Sequence, residues 1–527
     1  MSAVARDDRT TAVAATSGLG EAALRGQAIY EKGVSLAGGT ITAVFGSPPV
    51  AIDAAAMPCV GCHGGDGRGR SEGGVVPSDI TWAALTRPYH VTTEKGRRRP
   101  PYDEALVKRA VTAGLDSGAT PLDPVMPRYG MAERDLADLM AYLREMRTRR
   151  DPGVAPDRLV LGVVLGDRSQ PPDYLRGVRQ IAAAFCADVN GRGGIFGRML
   201  QPEFLALPAD RGRWKEVLGA FLVRRRPFAL IAGTTAGWKS EIEAVVAETQ
   251  TPMIAGMRHF QGQAALPERH LFYVLAEPGD LVRGLVARAA ESMRAVPTAV
   301  LCAEGEMPLG RLAVTACRQA GWEEPPLLVA LETEHDGAAA ARSLEEKGVG
   351  LVFFLGGGDG HPGEAALLGQ AVAMSWRPKV YALGSRARPE LYRQAGAFAD
   401  LVLAWPVPPR PQAWERHRDY ARLMRERGLP RRLEAAQVMV LASLTLLQHA
   451  LLDCGRRVSR ERLVEALERC YDCEIGYAPP VTYNPNRRVG SRRVFFSRYH
   501  PEGGKMTDLG MIALDADGRL EMNTETP

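Results

Sequence analysis

Apolar residues fall into two patterns along this chain, and the pattern changes near residue 150. Before that point the clearest signal is DLADLMAYLREM. Leu136, Leu139, Met140, Leu143 and Met146 recur there at i, i+3, i+4, i+7 spacing and predict a helix with one buried stripe. An earlier helix is expected around GQAIYEKG. Residues 149–156, RRDPGVAP, carry the Pro and Gly content of a linker. Beyond them short apolar runs alternate with helix-period segments. LVLGVVLG (159–166) precedes a helix over 174–190, FALIAG (228–233) precedes one from about 239, and TPMIAG and LFYVL follow. The alternation then restarts with TAVLCAEG, a helix near 309–319, LLVALE, a helix near 337–347, LVFFLGGG, another helix and KVYALG. Buried runs of this length between helices imply parallel sheets built from βαβ units. Because the pattern occurs twice, two α/β lobes are expected rather than one very wide sheet. The predicted fold class is α plus α/β, a small all-α domain followed by a two-lobed α/β domain with parallel sheets.

Composition adjusts this picture little. The 527 residues, 46% hydrophobic and 24% charged, fit about three compact units and exclude disorder and small disulfide scaffolds. A net charge of +5 over this length does not point to nucleic acid, and the basic runs at 95–99 and 147–150 read as solvated loops. The most apolar stretch, 433–452, is interrupted by Glu434, Gln437, Gln448 and His449 and reads as a buried helix rather than a membrane span. Residues 1–18 are small and polar, without the apolar core of a secretory signal, and are expected to form a flexible leader.

The eight cysteines differ in kind. Cys59 and Cys62 lie in CVGCH with His63 directly after, and C-x-x-C-H is the attachment signature of c-type haem. A thioredoxin-like site would need a strand before the motif and a helix after it; the flanks are SPPVAIDAAAMP and GGDGRGR. A zinc site would need a second ligand pair nearby. CYDC at 470–473 lacks a following His, so one haem is expected. A Met thioether is the usual second axial ligand of an electron carrier. Met126 sits before Pro127, which disfavours helical geometry at Met126, with Met131 and Met57 as alternatives.

Taken together, CVGCHGGDGRG, MPRY and DLADLMAYLREM resemble a class I cytochrome c, with its domain at 19–148 and a linker at 149–157. The resemblance implies one covalent haem c held by Cys59 and Cys62, with His63 as proximal and Met126 as distal iron ligand. It departs from simple members in a long Gly/Pro-containing loop between the first helix and CVGCH, roughly 34–58, expected to cover a haem edge or form a partner surface.

Residues 158–515 resemble a type I periplasmic binding protein of the branched-chain amino-acid and amide group that serves ABC transporters. The marks are LGVVLGD, the turn with Asn190, Gly193, Gly194, Ile195 and Gly197, IAGTTAGW, the helix AAQVMVLASLTLLQHALL, and YNPNRRVGSRRVFF. The expected first lobe is 158–276 with 405–455, the second 277–404 with 456–515, and 516–527 form a tail. Ligands in such sheets sit beyond the carboxyl ends of the strands. That selects Asp167 and Ser169, Thr234, Thr235 and Trp238, Met257, Glu277 and Asp280, and Gly357. Ala255, Gly256 and Met257 stand where a Ser/Thr-bearing loop is usual, and Leu309 where an aromatic is common, which argues against a simple amino acid.

GGGDGHPG lacks a phosphate-loop lysine, and no catalytic frame is visible, so no catalytic residue and no enzyme activity is assigned. Among the remaining cysteines a bridge from Cys454 to Cys470 or Cys473 is expected, with Cys186 and Cys317 buried as small hydrophobes. The expected function is a periplasmic single-haem electron carrier fused to a small-molecule receptor. Its expected partners are a redox protein such as a periplasmic dehydrogenase or, alternatively, an ABC-transporter permease. The polar start then implies a mature or truncated chain.

Overall fold

The computed structural model describes residues 19–46, 48–69, 75, 77–92, 96, 98–146, 151–168, 170–233, 240–257, 268–356, 362–374, 376–408, 417–429, 434–515 and 518–520. The chain divides after Asp151 into two compact units.

In the first unit α1 (Glu21–Lys32) packs across α4 (Glu133–Met146), with α2 (Cys59–His63) and α3 (Glu104–Ala113) between them in the chain. The α1–α4 crossing depends on Gly26, where an added Cβ would lie 2.0 Å from the Asp138 carbonyl oxygen. Arg25 grips the same residue from α1 with two bonds, Nε to Oδ2 at 2.7 Å and Nη2 to Oδ1 at 2.8 Å. The predicted stripe of α4 is buried in full, beside Tyr30 and Val107. The segment expected as a loop over 34–58 contains a hairpin instead. β1 (Thr42–Phe45) and β2 (Val50–Asp53) pair antiparallel, and β1 also pairs with β3 (Arg128–Gly130). Four-residue strands are too short for their alternation to stand out among neighbouring Gly and Pro.

The second unit holds two sheets. The first has the order β8-β7-β6-β4-β5 and is parallel throughout, from β4 (Arg158–Asp167), β5 (Met199–Leu207), β6 (Ala229–Ala232), β7 (Met253–Met257) and β8 (Leu271–Leu275). Alternate residues serve opposite faces, as strand geometry requires. Leu161, Val163 and Ile231 pack under α5 (Pro172–Gly191) and α12 (Glu434–Cys454), while Val164, Leu230 and Ala232 meet Trp214 and Phe221 of α6 (Trp214–Arg225) and Val246 of α7 (Ser240–Thr249). Each such fully buried side chain is worth roughly 1.5–3 kcal/mol. Helix α12 contains a window, Gln437–Cys454, long and apolar enough to cross a membrane, but Val440, Leu444 and Leu447 are buried in this core.

The second sheet has the order β10-β9-β11-β12-β13-β14-β15. Its parallel part is β9 (Thr298–Cys302), β10 (Leu327–Ala330), β11 (Leu351–Gly356), β12 (Lys379–Leu383) and β13 (Asp400–Trp405). β14 (Arg493–His500) adds antiparallel to β13, and β15 (Lys505–Ala513) pairs antiparallel with β14 because the turn between them, with Gly503 and Gly504 at φ 88° and 62°, is too short for a crossover. Helices α8 (Pro278–Ala290), α9 (Met307–Gln319), α10 (Glu334–Glu346) and α11 (Pro362–Met374) flank this sheet.

The expected lobe boundary shifts. Helix α13 (Arg460–Glu468) and residues up to Tyr483 pack into the first sheet's core, not the second. Val489 then bridges Tyr273 of β8 in parallel, with Tyr273 N–H donating to Arg488 O and Gly490 N–H to Tyr273 O, both at 2.8 Å. Only from about Arg492 onward does the chain join the second lobe. An amphipathic helix such as α13 shows that it has a buried face but not which sheet it covers.

Candidate functional site

Helix α2 is one turn of CVGCH, entered through Pro58 and left at Gly64, whose φ is 71°. The turn brings Cys59 and Cys62 onto one side, and both are half-buried free thiols. Burial pushes the Cys59 thiol up to about 11. His63 is 8% exposed and its Nδ1 lies 3.0 Å from the carbonyl oxygen of Ser78. With Nδ1 donating there, the proton is fixed on that nitrogen and the Nε2 lone pair is left to bind a metal. Burial also lowers the His63 pKa, which favours the neutral, ligating ring. Two buried phenols hold the flanking backbone. Tyr30 of α1 donates to Gly64 O at 2.6 Å, and Tyr129 of β3 donates to Met57 O at 2.7 Å. Paired thiols beside an imidazole with one nitrogen anchored and the other open fit a single covalently attached haem c.

Met126 closes a turn in which its N–H donates to Asp123 O at 3.0 Å, and it is half-buried, followed by buried Pro127. Arg128 laces this turn from below. Its guanidinium donates to Leu122 O at 3.0 Å, to Asp123 O at 3.5 Å and to Met126 O. Of the alternatives, Met131 packs against the unit's core and Met57 lends its carbonyl to Tyr129.

In the second unit the sheet orders place both switch points. β4 is followed by β5 on one side and β6 on the other, and β9 by β10 and β11 likewise. Ligands of open α/β sheets sit at the carboxyl ends of strands at such points. Asp167 ends β4 and Met257 ends β7, where Met257 is half-buried against the first core. Ser169, Thr234, Thr235, Trp238 and Gly357 lie outside the described residues, as does the Asp167 side chain. Gly233 and Gly356, which precede two of these loops, do end at the switch points. Glu277 and Asp280 have a structural task. They form a capping box at the start of α8, and Asp280, fully buried, faces Arg283 at 3.5 Å and Arg492 at 3.7 Å. Burial raises the Asp280 pKa against the pull of Arg492 and Arg283.

Four charged residues at the second switch point were not foreseen. Glu306 follows β9, Glu364 lies in the first turn of α11 after β11, and Arg386 and Arg388 follow β12. Arg386 Nη1 is 3.0 Å from Glu306 Oε1, and Arg388 Nε is 3.8 Å from Glu364 Oε2. Their one sequence signal is charge directly after an apolar strand, in CAEGE and ALGSRAR. The expected link from Cys454 is replaced by a Cys470–Cys473 disulfide, and Cys454 is a buried free thiol. Cys454 lies within the core that α12 and α13 share, whereas the short CYDC turn brings its own two sulfurs together. Cys186 and Cys317 are buried. Among the described residues no cluster of three or more His, Cys, Asp or Glu is placed to hold a metal ion.

Residues 53–147 match the cytochrome c family model. The remainder resembles solved substrate-binding proteins. A fatty acid ABC transporter substrate-binding protein from Thermomonospora curvata aligns with TM-score 0.55 at 15% identity, covering 70% of this chain and 95% of that one. A branched chain amino acid ABC transporter protein from Thermus thermophilus with bound valine gives TM-score 0.55 at 14% identity, over 69% and 98%. A possible leucine/isoleucine/valine-binding protein from Rhodopirellula baltica SH 1 gives 0.54 at 17% identity, over 68% and 98%. No curated protein matches the chain. Residues 53–147 thus form a cytochrome c domain, and the second unit has the fold of the type I periplasmic binding proteins.

Proposed function

We propose that this chain is a periplasmic one-electron carrier tied to a receptor for a small organic solute, with His63 and Met126 as the side chains that would hold the haem iron. Held by these residues, haem c would supply the one-electron chemistry. The protein's part is positional. Cys59 and Cys62 anchor the cofactor, the Ser78 carbonyl holds the His63 ring by Nδ1, and Tyr30 and Tyr129 keep the intervening backbone in place. The Met126 thioether would favour electron transfer over small-molecule activation at the iron. The carrying observation is the anchored His63 in one unit, joined to a second unit with two sheets whose strand orders each contain a switch point.

Periplasmic residence follows from both functions, since covalent haem attachment and solute receptors belong there. The similar structures are named for amino-acid and fatty-acid binding, so the fold alone does not choose a solute. A periplasmic dehydrogenase is the electron donor this reading expects, and an ABC-transporter permease is the partner if the receptor feeds transport. The test uses the holoprotein. Met126→Ala should convert the absorption and paramagnetic resonance spectra from a thioether-ligated low-spin form to one with an altered sixth ligand. Spectra unchanged by Met126→Ala would overturn the ligand assignment. Haem potential and reduction rate measured with and without solute then decide coupling, because linkage requires a differential interaction.

A further inference from the structure

The CYDC turn has no part in the haem unit or in either switch point. It follows α13, and its disulfide joins Cys470, 8% exposed, to the half-buried Cys473 across Tyr471 and Asp472. A bridge closing so short a loop restrains the unfolded chain little, because that restraint grows with loop length. What it holds is local. Asp472 has φ +48°, a left-handed backbone that residues other than glycine rarely adopt, and Tyr471 beside it is 83% exposed.

This turn is laced to the segment by which the chain leaves the first lobe. Cys473 and Val481 exchange backbone hydrogen bonds at 2.9 and 3.0 Å, and Tyr483 N–H donates to Cys470 O at 2.9 Å. Asp472 N–H donates to Thr482 Oγ1 at 2.9 Å, and Thr482 N–H to Gly490 O at 3.1 Å. The Tyr483 hydroxyl donates to Tyr273 O of β8 at 3.0 Å. Asp472 Oδ1 also meets Arg493, the first residue of β14 in the second lobe, at 3.3 Å. Finally, Cys470 Sγ lies 3.7 Å from Val481 O, an acceptor that a thiol can use and a disulfide cannot.

We propose that Cys470 and Cys473 form a thiol–disulfide exchange site reduced by a dithiol, and that its state sets how firmly residues 481–493 are held where the chain crosses between lobes. One thiolate of the dithiol attacks Cys473 Sγ, the less buried sulfur, and Cys470 Sγ leaves as a thiolate. The dithiol's second thiolate then attacks its own partner sulfur in the mixed disulfide and expels Cys473. Two electrons pass to the turn, the dithiol becomes a disulfide, and its two protons end on Cys470 and Cys473. A disulfide of the same class reverses both steps. With the bond gone, Asp472 relaxes from its left-handed backbone and lets go of Thr482 and Arg493. Cys186, Cys302, Cys317 and Cys454 stay outside this chemistry because they are buried. Burial pushes Cys302 up to about 11 and the other three to about 12.

The test treats the folded full-length holoprotein with dithiothreitol and reads iodoacetamide labelling and amide hydrogen exchange. Ascorbate, which reduces haem iron but not disulfides, is the control. Dithiothreitol should open Cys470 and Cys473 to labelling together while the four buried thiols stay unlabelled, and oxidised dithiothreitol should restore the bond. Amide exchange over 481–493 should rise about tenfold or more with dithiothreitol and stay unchanged with ascorbate. The double variant Cys470→Ser, Cys473→Ser should exchange fast without any reductant. A bond that resists dithiothreitol until the buried thiols also label overturns the inference. So does exchange over 481–493 that stays within about twofold of the untreated protein after reduction. Neither outcome touches the receptor reading.

Discussion

Arg128 offers the sharpest handle on the haem-bearing unit, because one side chain secures the turn that presents Met126. Its guanidinium donates to the carbonyls of Leu122, Asp123 and Met126, although the Asp123 contact is long at 3.5 Å. A hydrogen bond from a charged group contributes about 1.5–3 kcal/mol. The turn is partly solvated, and water will replace some of what is lost. Arg128→Ala should therefore destabilise the methionine-presenting turn by about 2 kcal/mol, which is roughly a thirtyfold change in an equilibrium constant. With Met126 as the proposed ligand, the assay is its displacement by added imidazole in the ferric holoprotein, followed by absorption. Imidazole should bind about thirtyfold more tightly to the variant, by the same arithmetic. Gly114→Ala should act in the same direction, since an added Cβ would lie 1.6 Å from Arg128 Nε and Gly114 has φ +67°. Imidazole affinity within twofold of wild type in both variants would show that Arg128 does not brace this turn.

Further outcomes are open to direct measurement. Arg488 and Glu468 form an ion pair at 2.7 Å with side chains 4% and 8% exposed, so Glu468→Ala should cost about 3–5 kcal/mol. Replacing both partners by apolar residues should cost less than the single change, and an additive double mutant in chemical denaturation would contradict this. Glu364 carries a folded pKa of about 7 against an ordinary 4.5, so its contribution is complete below 4.5 and lost as pH rises through 7. The loss should approach about 3 kcal/mol, visible as a falling calorimetric midpoint that Glu364→Gln flattens. Peptide mapping without reduction should recover Cys470 linked to Cys473 and Cys454 as a free thiol, and a Cys454 linkage would contradict the structure.

What could be read from the residues was what is local. CVGCH carries its chemistry within five positions, and the α4 stripe and the buried strands repeat within single elements. The charged group of Glu306, Glu364, Arg386 and Arg388 was illegible because the sheet order, not proximity in the chain, brings its members together. The β1–β2 hairpin was hidden by its length and by the glycines and prolines around it. Glu277 and Asp280 were chosen as ligand candidates from their position after a strand. That position is also where helix capping operates, and capping is what their side chains do. The misplaced boundary at 456–490 has the same origin, since burial pattern identifies a face but not its partner.

The route of the chain through the second unit bears on how the protein is made. The first lobe's core includes residues of α13 and up to Tyr483, and its β8 edge is completed by Val489. The second lobe's sheet is completed by β14, whose Phe496 pairs with Ala404 of β13. Neither lobe is a continuous stretch, so during synthesis both remain unfinished until this last segment emerges. The cytochrome unit, by contrast, has all its described helices and strands before residue 147 and can settle early. Stop codons introduced between Cys473 and Phe496 should consequently release chains that are competent to receive haem yet aggregate through the uncovered edge of β13 and, where the stop precedes Val489, of β8 as well.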